Sequence, residues 1–179
     1  MSLRHAVLAA LSQGEASGYE LAKRFDVAVA DYWSATPQQL YRDLEKLERD
    51  GLVAARVVEQ RRRPNKRVFT LTAAGRQALR EFVREPAKPA AIRDEFLVKL
   101  QAGNAEDVDA LIAAAEARLT RSREKLARYE QLRERLEGQP ADQRGDGPFL
   151  TLMAGIMYEQ QNIRWTGLVL ERLRGAGFL

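Results

Sequence analysis

Thr36-Pro37-Gln38-Gln39-Leu40-Tyr41-Arg42-Asp43-Leu44-Glu45-Lys46-Leu47-Glu48-Arg49-Asp50-Gly51-Leu52-Val53 carries a helix with both of its ends marked. Thr36 is a capping residue. Pro37 suits the first helical position, where its missing N–H is not needed, and Gln39 can reach back to the cap. Leu40, Leu44 and Leu47 recur on one face, which predicts that they point inward. Gly51, after Asp50, tolerates the left-handed exit. Gln38, Gln39, Arg42 and Lys46 are left on the outer side. Gln can bond in bidentate fashion to adenine and Arg to guanine, and the first turns of a recognition helix are the part that enters the major groove.

The flanking segments extend this pattern. Leu3, Val7, Leu8 and Leu11 predict a helix over 2–12, ended by Gly14. Ser17-Gly18-Tyr19-Glu20 has the capping-box form and opens a second helix whose apolar face is Leu21, Ala22 and Phe25. Its N-terminus offers backbone N–H groups to a phosphate, with Lys23 one turn further on. Downstream, the valine-rich run Leu52 to Val58 reads as a strand. Arg63-Pro64-Asn65-Lys66 reads as a turn and Arg67 to Leu71 as a second strand, with Phe69 and Leu71 on one face and Val68 and Thr70 on the other. Thr72 can cap a fourth helix to about Arg84, striped by Leu79, Phe82 and Val83. Helix-helix-helix-hairpin-helix is the order of a winged helix-turn-helix. The hairpin is too short to stand alone and must lean on the helices.

Composition narrows the function. The chain has 179 residues, 45% apolar and 30% charged, which is enough for a real core and unlike a disordered or membrane chain. The apolar run Ala6 to Leu11 is too short for a secretion signal, so a cytoplasmic location is expected. Cysteine is absent and His5 is the lone histidine, so disulfides, thiolate catalysis and multi-histidine metal sites are excluded. No cofactor is expected, and His5 reads as a surface or interface residue. The net charge of +4 is uneven. Residues 1–80 hold 14 basic and 9 acidic side chains, whereas 81–179 hold 15 and 16. Arg61, Arg62, Arg63, Lys66 and Arg67 lie in a seven-residue stretch without an acid. Positive charge gathered at one point suits a polyanion, because each neutralised phosphate releases counterions. On double-stranded DNA this hairpin tip would follow the backbone or enter a narrow minor groove.

The chain resembles the PadR family of bacterial transcriptional regulators. Three blocks carry the likeness: Ser17 to Leu21, Gln39 to Val53, and Phe69-Thr70-Leu71-Thr72-Ala73-Ala74-Gly75. Family members often have tyrosine where this chain has Phe69, so a hydroxyl contact there is absent. The resemblance implies a homodimeric repressor whose third helix and wing bind a two-fold symmetric operator, with a small molecule or other signal releasing it. By the motif positions it also implies that Tyr19, Thr36, Gln38, Tyr41 and Arg42 face DNA, and that Arg61 to Arg63, Lys66 and Arg67 form the wing.

Pro86 and Pro89 mark a boundary, giving a DNA-binding domain over 1–85 and a helical dimerisation domain, with an effector-sensing role open to it, over 90–179. In the second domain a short helix is expected from Ala91 to Leu100 and a long one over about 104–137. Gly138 to Pro148 reads as a loop and Phe149 to Leu173 as a last helix. Val108, Ile112, Ala115, Leu119, Ser122, Leu126 and Tyr129 alternate four and three apart, a coiled-coil-like seam whose phase slips at Leu132 and Leu136. This seam needs a partner, either the last helix of the same chain or its copy in a second chain. A homodimer built by Ile112, Ala115, Leu119, Leu126, Tyr129, Met153, Ile156 and Ile163 is expected. Phe149, Met157, Tyr158 and Trp165, or alternatively Trp33, could line a pocket for a small aromatic effector, or simply be core. A rival function is a protein-interaction module that uses the winged helix and the coiled-coil-like dimeriser without specific DNA binding. An enzyme is disfavoured, since no phosphate loop, nucleophile elbow or clustered catalytic carboxylates occur.

Overall fold

The computed structural model describes residues 3–24, 36–59, 65–87, 93–140 and 145–175. Its elements in chain order are α1 (Leu3–Ser12), β1 (Ala16–Ser17), α2 (Gly18–Arg24), α3 (Pro37–Arg49), β2 (Val53–Val58), β3 (Lys66–Leu71), α4 (Ala73–Arg84), α5 (Glu95–Ala102), α6 (Val108–Glu137) and α7 (Asp146–Arg174). The chain divides into two compact units, Met1–Pro89 and Ala90–Leu179.

The first unit is a mostly helical winged helix-turn-helix around a small antiparallel sheet. Val7, Leu8 and Leu11 of α1, Leu21 of α2 and Leu40, Leu44 and Leu47 of α3 meet Leu52, Val53 and Phe69 in one apolar core. The sheet has three strands in the order β1-β3-β2, one more than the sequence suggested. Two residues carry no readable alternation, so β1 is visible only through its pairing of Ala16 with Phe69 and Ser17 with Val68. Val68 and Phe69 are both buried, so β3 is covered on both faces rather than on one. Phe69 lies in the core, where a ring without a hydroxyl belongs.

The ends of α3 and α4 follow the expected chemistry. Gly51 takes a positive φ of 70° directly after α3. The Thr72 hydroxyl donates to Gly51 O at 2.7 Å and accepts from Gly75 N at 3.0 Å, binding the exit of α3 to the start of α4. Gly75 has no room for a side chain, since a Cβ there would lie 2.0 Å from Leu52 O. One expectation fails on α4. Val83 is 75% exposed, so the stripe ends at Phe82. His5, expected at the surface or an interface, is half-buried and stacks face to face on Phe82, with centroids 4.0 Å apart. Burial, then Arg4, lowers its pKa.

In the second unit α6 and α7 pair along their length. The short helix starts at Glu95, later than expected, because Asp94 caps it by accepting from Phe96 N at 3.0 Å. A 3₁₀ turn, Ala105–Asp107, capped by Asn104, precedes α6. The last helix begins at Asp146 rather than Phe149, since Pro148 in its first turn needs no intrahelical hydrogen bond. Phe96, Ala115 and Leu170 form the buried cluster, flanked by Ile112, Leu119 and Trp165. Leu111, outside the expected seam, is buried where α6 meets Gly103.

Candidate nucleic-acid interface

The amphipathic α3 determines what the first unit presents. Its cap is a complete box, in which Gln39 N donates to Thr36 Oγ1 at 3.2 Å and Thr36 N donates to Gln39 Oε1 at 2.9 Å. That engages the Gln39 carbonyl, so bidentate adenine reading by Gln39 would cost the cap. Gln38, Arg42 and Lys46 are exposed one turn apart, and their side chains make no hydrogen bond or ion pair among the described residues. Three polar side chains line one helix face, at the spacing a groove-reading helix needs.

Two tyrosines border this face. Tyr19, in the first turn of α2, is 69% exposed, and Tyr41 of α3 is 46% exposed. Gly18 makes the junction, since a Cβ there would sit 2.2 Å from the Tyr41 ring. The sequence reading missed this role of Gly18, because the packing partner lies more than twenty residues away. Lys23 is exposed on α2.

The start of α2 is held by one carboxylate. Glu20 Oε2 accepts from Ser17 N at 2.7 Å and from the Ser17 hydroxyl at 2.8 Å, and Glu20 N donates to Ser17 Oγ at 3.3 Å. Glu20 Oε1 accepts from Lys66 Nζ at 3.1 Å. The backbone and hydroxyl of Ser17, and then Lys66, pull the Glu20 pKa down to about 2. Arg67 pairs with Glu48 of α3 at 2.5 Å and lies 5.3 Å from the centroid of the Phe69 ring. Lys66 and Arg67, expected as DNA-binding residues of the wing, each pair with an acid, of α2 and of α3 respectively. Arg61, Arg62 and Arg63 lie outside the described residues, as do Trp33 and Phe25.

In the second unit, several residues expected to build a dimer are engaged within the chain. Ala115 and Ile156 are 0% and 1% exposed, and the Tyr129 ring lies over Gly155 of α7. The seam finds much of its partner in the last helix of its own chain. Ile112, Leu119, Leu126, Met153 and Ile163 are half-buried. Leu150, Met157, Tyr158 and Leu168 of α7 are exposed. Trp165 meets Phe96 edge to face at 5.8 Å, and the Arg118 guanidinium lies 5.3 Å from its centroid, which makes it a packing residue. Phe149 is half-buried. A groove of about 580 Å³ lies in the first unit, between the end of α1 and α4, and none of Phe149, Met157, Tyr158 or Trp165 lines it. Among the described residues no cluster could hold a metal ion, and no helix is long and apolar enough to cross a membrane.

Known proteins share both units. The model of the transcriptional regulator PadR-like family matches residues 7–81, and that of the virulence activator alpha C-terminal region matches residues 92–174. The probable transcriptional regulator Rv1176c of Mycobacterium tuberculosis is 34% identical, over 97% of this chain and 98% of its own. The negative transcriptional regulator PadR of Bacillus subtilis, in its crystal structure with operator DNA, is 26% identical with a TM-score of 0.75, covering 96% of this chain and 98% of that one. Its complex with p-coumaric acid aligns with a TM-score of 0.69 at 26% identity, over 97% and 99% of the two chains. The virulence activator AphA of Vibrio cholerae is 31% identical with a TM-score of 0.72, over 96% and 98%.

Proposed function

The chain belongs to the PadR-like family of transcriptional regulators, and from that premise we propose that it is a homodimeric repressor of a two-fold symmetric operator, released by a small aromatic effector. It is a regulator and not an enzyme. The observation that carries the reading is the outer face of α3, where the side chains of Gln38, Arg42 and Lys46 have no partner among the described residues and project side by side with Tyr19 and Tyr41 at their border. In this reading Gln38 and Arg42 take base edges in the major groove. Lys23, Lys46 and the tyrosine hydroxyls take phosphates, and Arg61, Arg62 and Arg63 follow the backbone beside the groove. One such helix reads few bases, so two copies about 34–36 Å apart on a palindrome are required. Exposed Leu150, Met157, Tyr158 and Leu168 of α7 supply apolar surface for the second copy. The effector class is supported by the p-coumaric acid complex of the Bacillus subtilis relative.

Selection of bound fragments from random duplex DNA, followed by anisotropy titration, tests the reading. A palindromic site should emerge, and Arg42→Ala should relax preference at one base pair per half-site by about 1–3 kcal/mol. Recovery of no site, or a monomer by light scattering at micromolar concentration, would contradict it. A second reading, activation, is favoured by the match of residues 92–174 to the virulence activator model. A reporter placed behind the selected site separates the two by the direction of its response to deletion of the regulator.

A further inference from the structure

The wing hairpin is less cationic than its sequence. Its described residues, Val53 to Glu59 and Asn65 to Leu71, contain three cations, Arg56, Lys66 and Arg67. Each is paired with an acid from outside the hairpin. Arg56 meets Glu15 at 2.5 Å, Lys66 meets Glu20 at 3.1 Å, and Arg67 meets Glu48 at 2.5 Å. Lys66 forms the last rung of the ladder with Val58, and Arg67 the rung before it with Val57. The strands leave for the hairpin loop from this point. Adjacent strand residues point to opposite faces, so the root of the loop is braced from α2 on one side and from α3 on the other.

We infer that Glu20 and Glu48 are wing-positioning residues, which pair with Lys66 and Arg67 to fix the root of the hairpin and to cancel those two cations in the count of charges presented to DNA. The inference rests on the DNA-binding reading above. An exposed ion pair is weak, and a phosphate could draw Arg67 away. Doing so would leave the Glu48 carboxylate uncompensated beside a polyanion, so the pair as a unit still contributes no net charge. The hydrogen bonds from Ser17 and the Lys66 ammonium hold the Glu20 carboxylate in its ionised form, so this pair is neutral at the near-neutral pH of a binding assay. The consequence is a division of labour in which the acids aim the wing and hold down sequence-independent attraction, while the cations free of acids set the salt dependence.

The test is the slope of log affinity against log salt, on the selected operator and on an unrelated duplex, with folding followed by circular dichroism. Glu48→Gln frees Arg67 and should steepen the slope by up to ~0.9, the value of one additional phosphate contact. Affinity for unrelated DNA should rise several-fold and the operator-to-unrelated ratio should fall. Glu48→Gln combined with Arg67→Gln should return the slope to that of the wild type, which a merely structural role of Glu48 would not do. Glu20→Gln, alone and with Lys66→Gln, repeats the design at the second brace. A Glu48→Gln protein with an unchanged slope, or a double variant shallower than wild type by ~0.9, overturns the inference, because Arg67 would then be a phosphate contact in its own right. A wild-type protein that binds no duplex at low salt overturns the DNA-binding reading, and this inference with it.

Discussion

The two units solve the same packing problem with different materials. The first closes on a dry core of Leu, Val and Phe side chains and leaves its polar groups at helix caps and on the outer face of α3. The second pairs two helices of about thirty residues each, and much of what lies between them is polar. Glu159 is 2% exposed, with Lys125 Nζ at 3.6 Å, and accepts from Asn162 at 3.4 Å. Arg118 donates to Asn162 at 3.0 Å and to Asp94 at 2.7 Å, with its guanidinium beside both the Phe96 and Trp165 rings. Ser122 and Thr166 are buried beside them. Long helices with repetitive apolar stripes can slide by a turn at little cost, and buried polar partners penalise every register but one. A small domain whose α2, α3 and α4 each carry a distinct cap needs no such device.

If that contrast holds, core truncation should separate the units most. Leu44→Ala in α3 should destabilise the first unit by about 2–5 kcal/mol, since the side chain is fully buried and its neighbours cannot collapse into the gap. Hydrogen exchange resolved by region should then show early opening of residues 3–84 with 95–174 retained. Equal loss in both regions would show that the units do not behave independently.

Arg118→Met comes next. It keeps the stem against Phe96 and Trp165 but leaves Asp94 and Asn162 without their donor, and urea unfolding followed by Trp165 fluorescence should report a loss of about 1.5–3 kcal/mol. No loss would remove the polar chain from the account of how α6 and α7 find their register. Thr166→Val acts in the opposite direction. The Thr166 hydroxyl is buried and has no hydrogen-bond partner among the described residues, so an isosteric methyl should stabilise the second unit by about 1 kcal/mol in the same assay.

The smallest effect is a pH dependence in the first unit. Glu20 takes up a proton near 4.5 when unfolded and near 2 when folded. Its contribution is therefore complete above about pH 4.5 and is lost as the pH falls towards 2. Glu20→Gln should flatten the stability profile of residues 3–84 across that window while leaving neutral-pH secondary structure intact. An unaltered acid limb would place the titrating group elsewhere.

The same contrast explains what could be read in advance. The α3 cap, its inward leucines, the Gly51 exit and the Thr72 cap rest on neighbours within four residues, and all stand as expected. The outer face of α3 was legible for the same reason, since three inward leucines dictate which residues are left outside. The Tyr41 ring over Gly18, the stacking of His5 on Phe82 and the pairing of Arg67 with Glu48 were not legible, because each joins residues far apart in the chain. In the second unit the seam was visible as a stripe. Its mate, and Leu111 on another face, were not, because a 3.5-residue period specifies a face without naming what covers it.

Periodicity and capping chemistry, acting over one or two turns, were enough to set the main helices, the β2–β3 hairpin and the inward face of α3, and the resemblance of three sequence blocks pointed to the family. Which cations are neutralised, which polar groups are interred and which half of a stripe is already covered depended on the folded chain. Charge and burial are properties of pairs of groups, and folding decides which groups become neighbours.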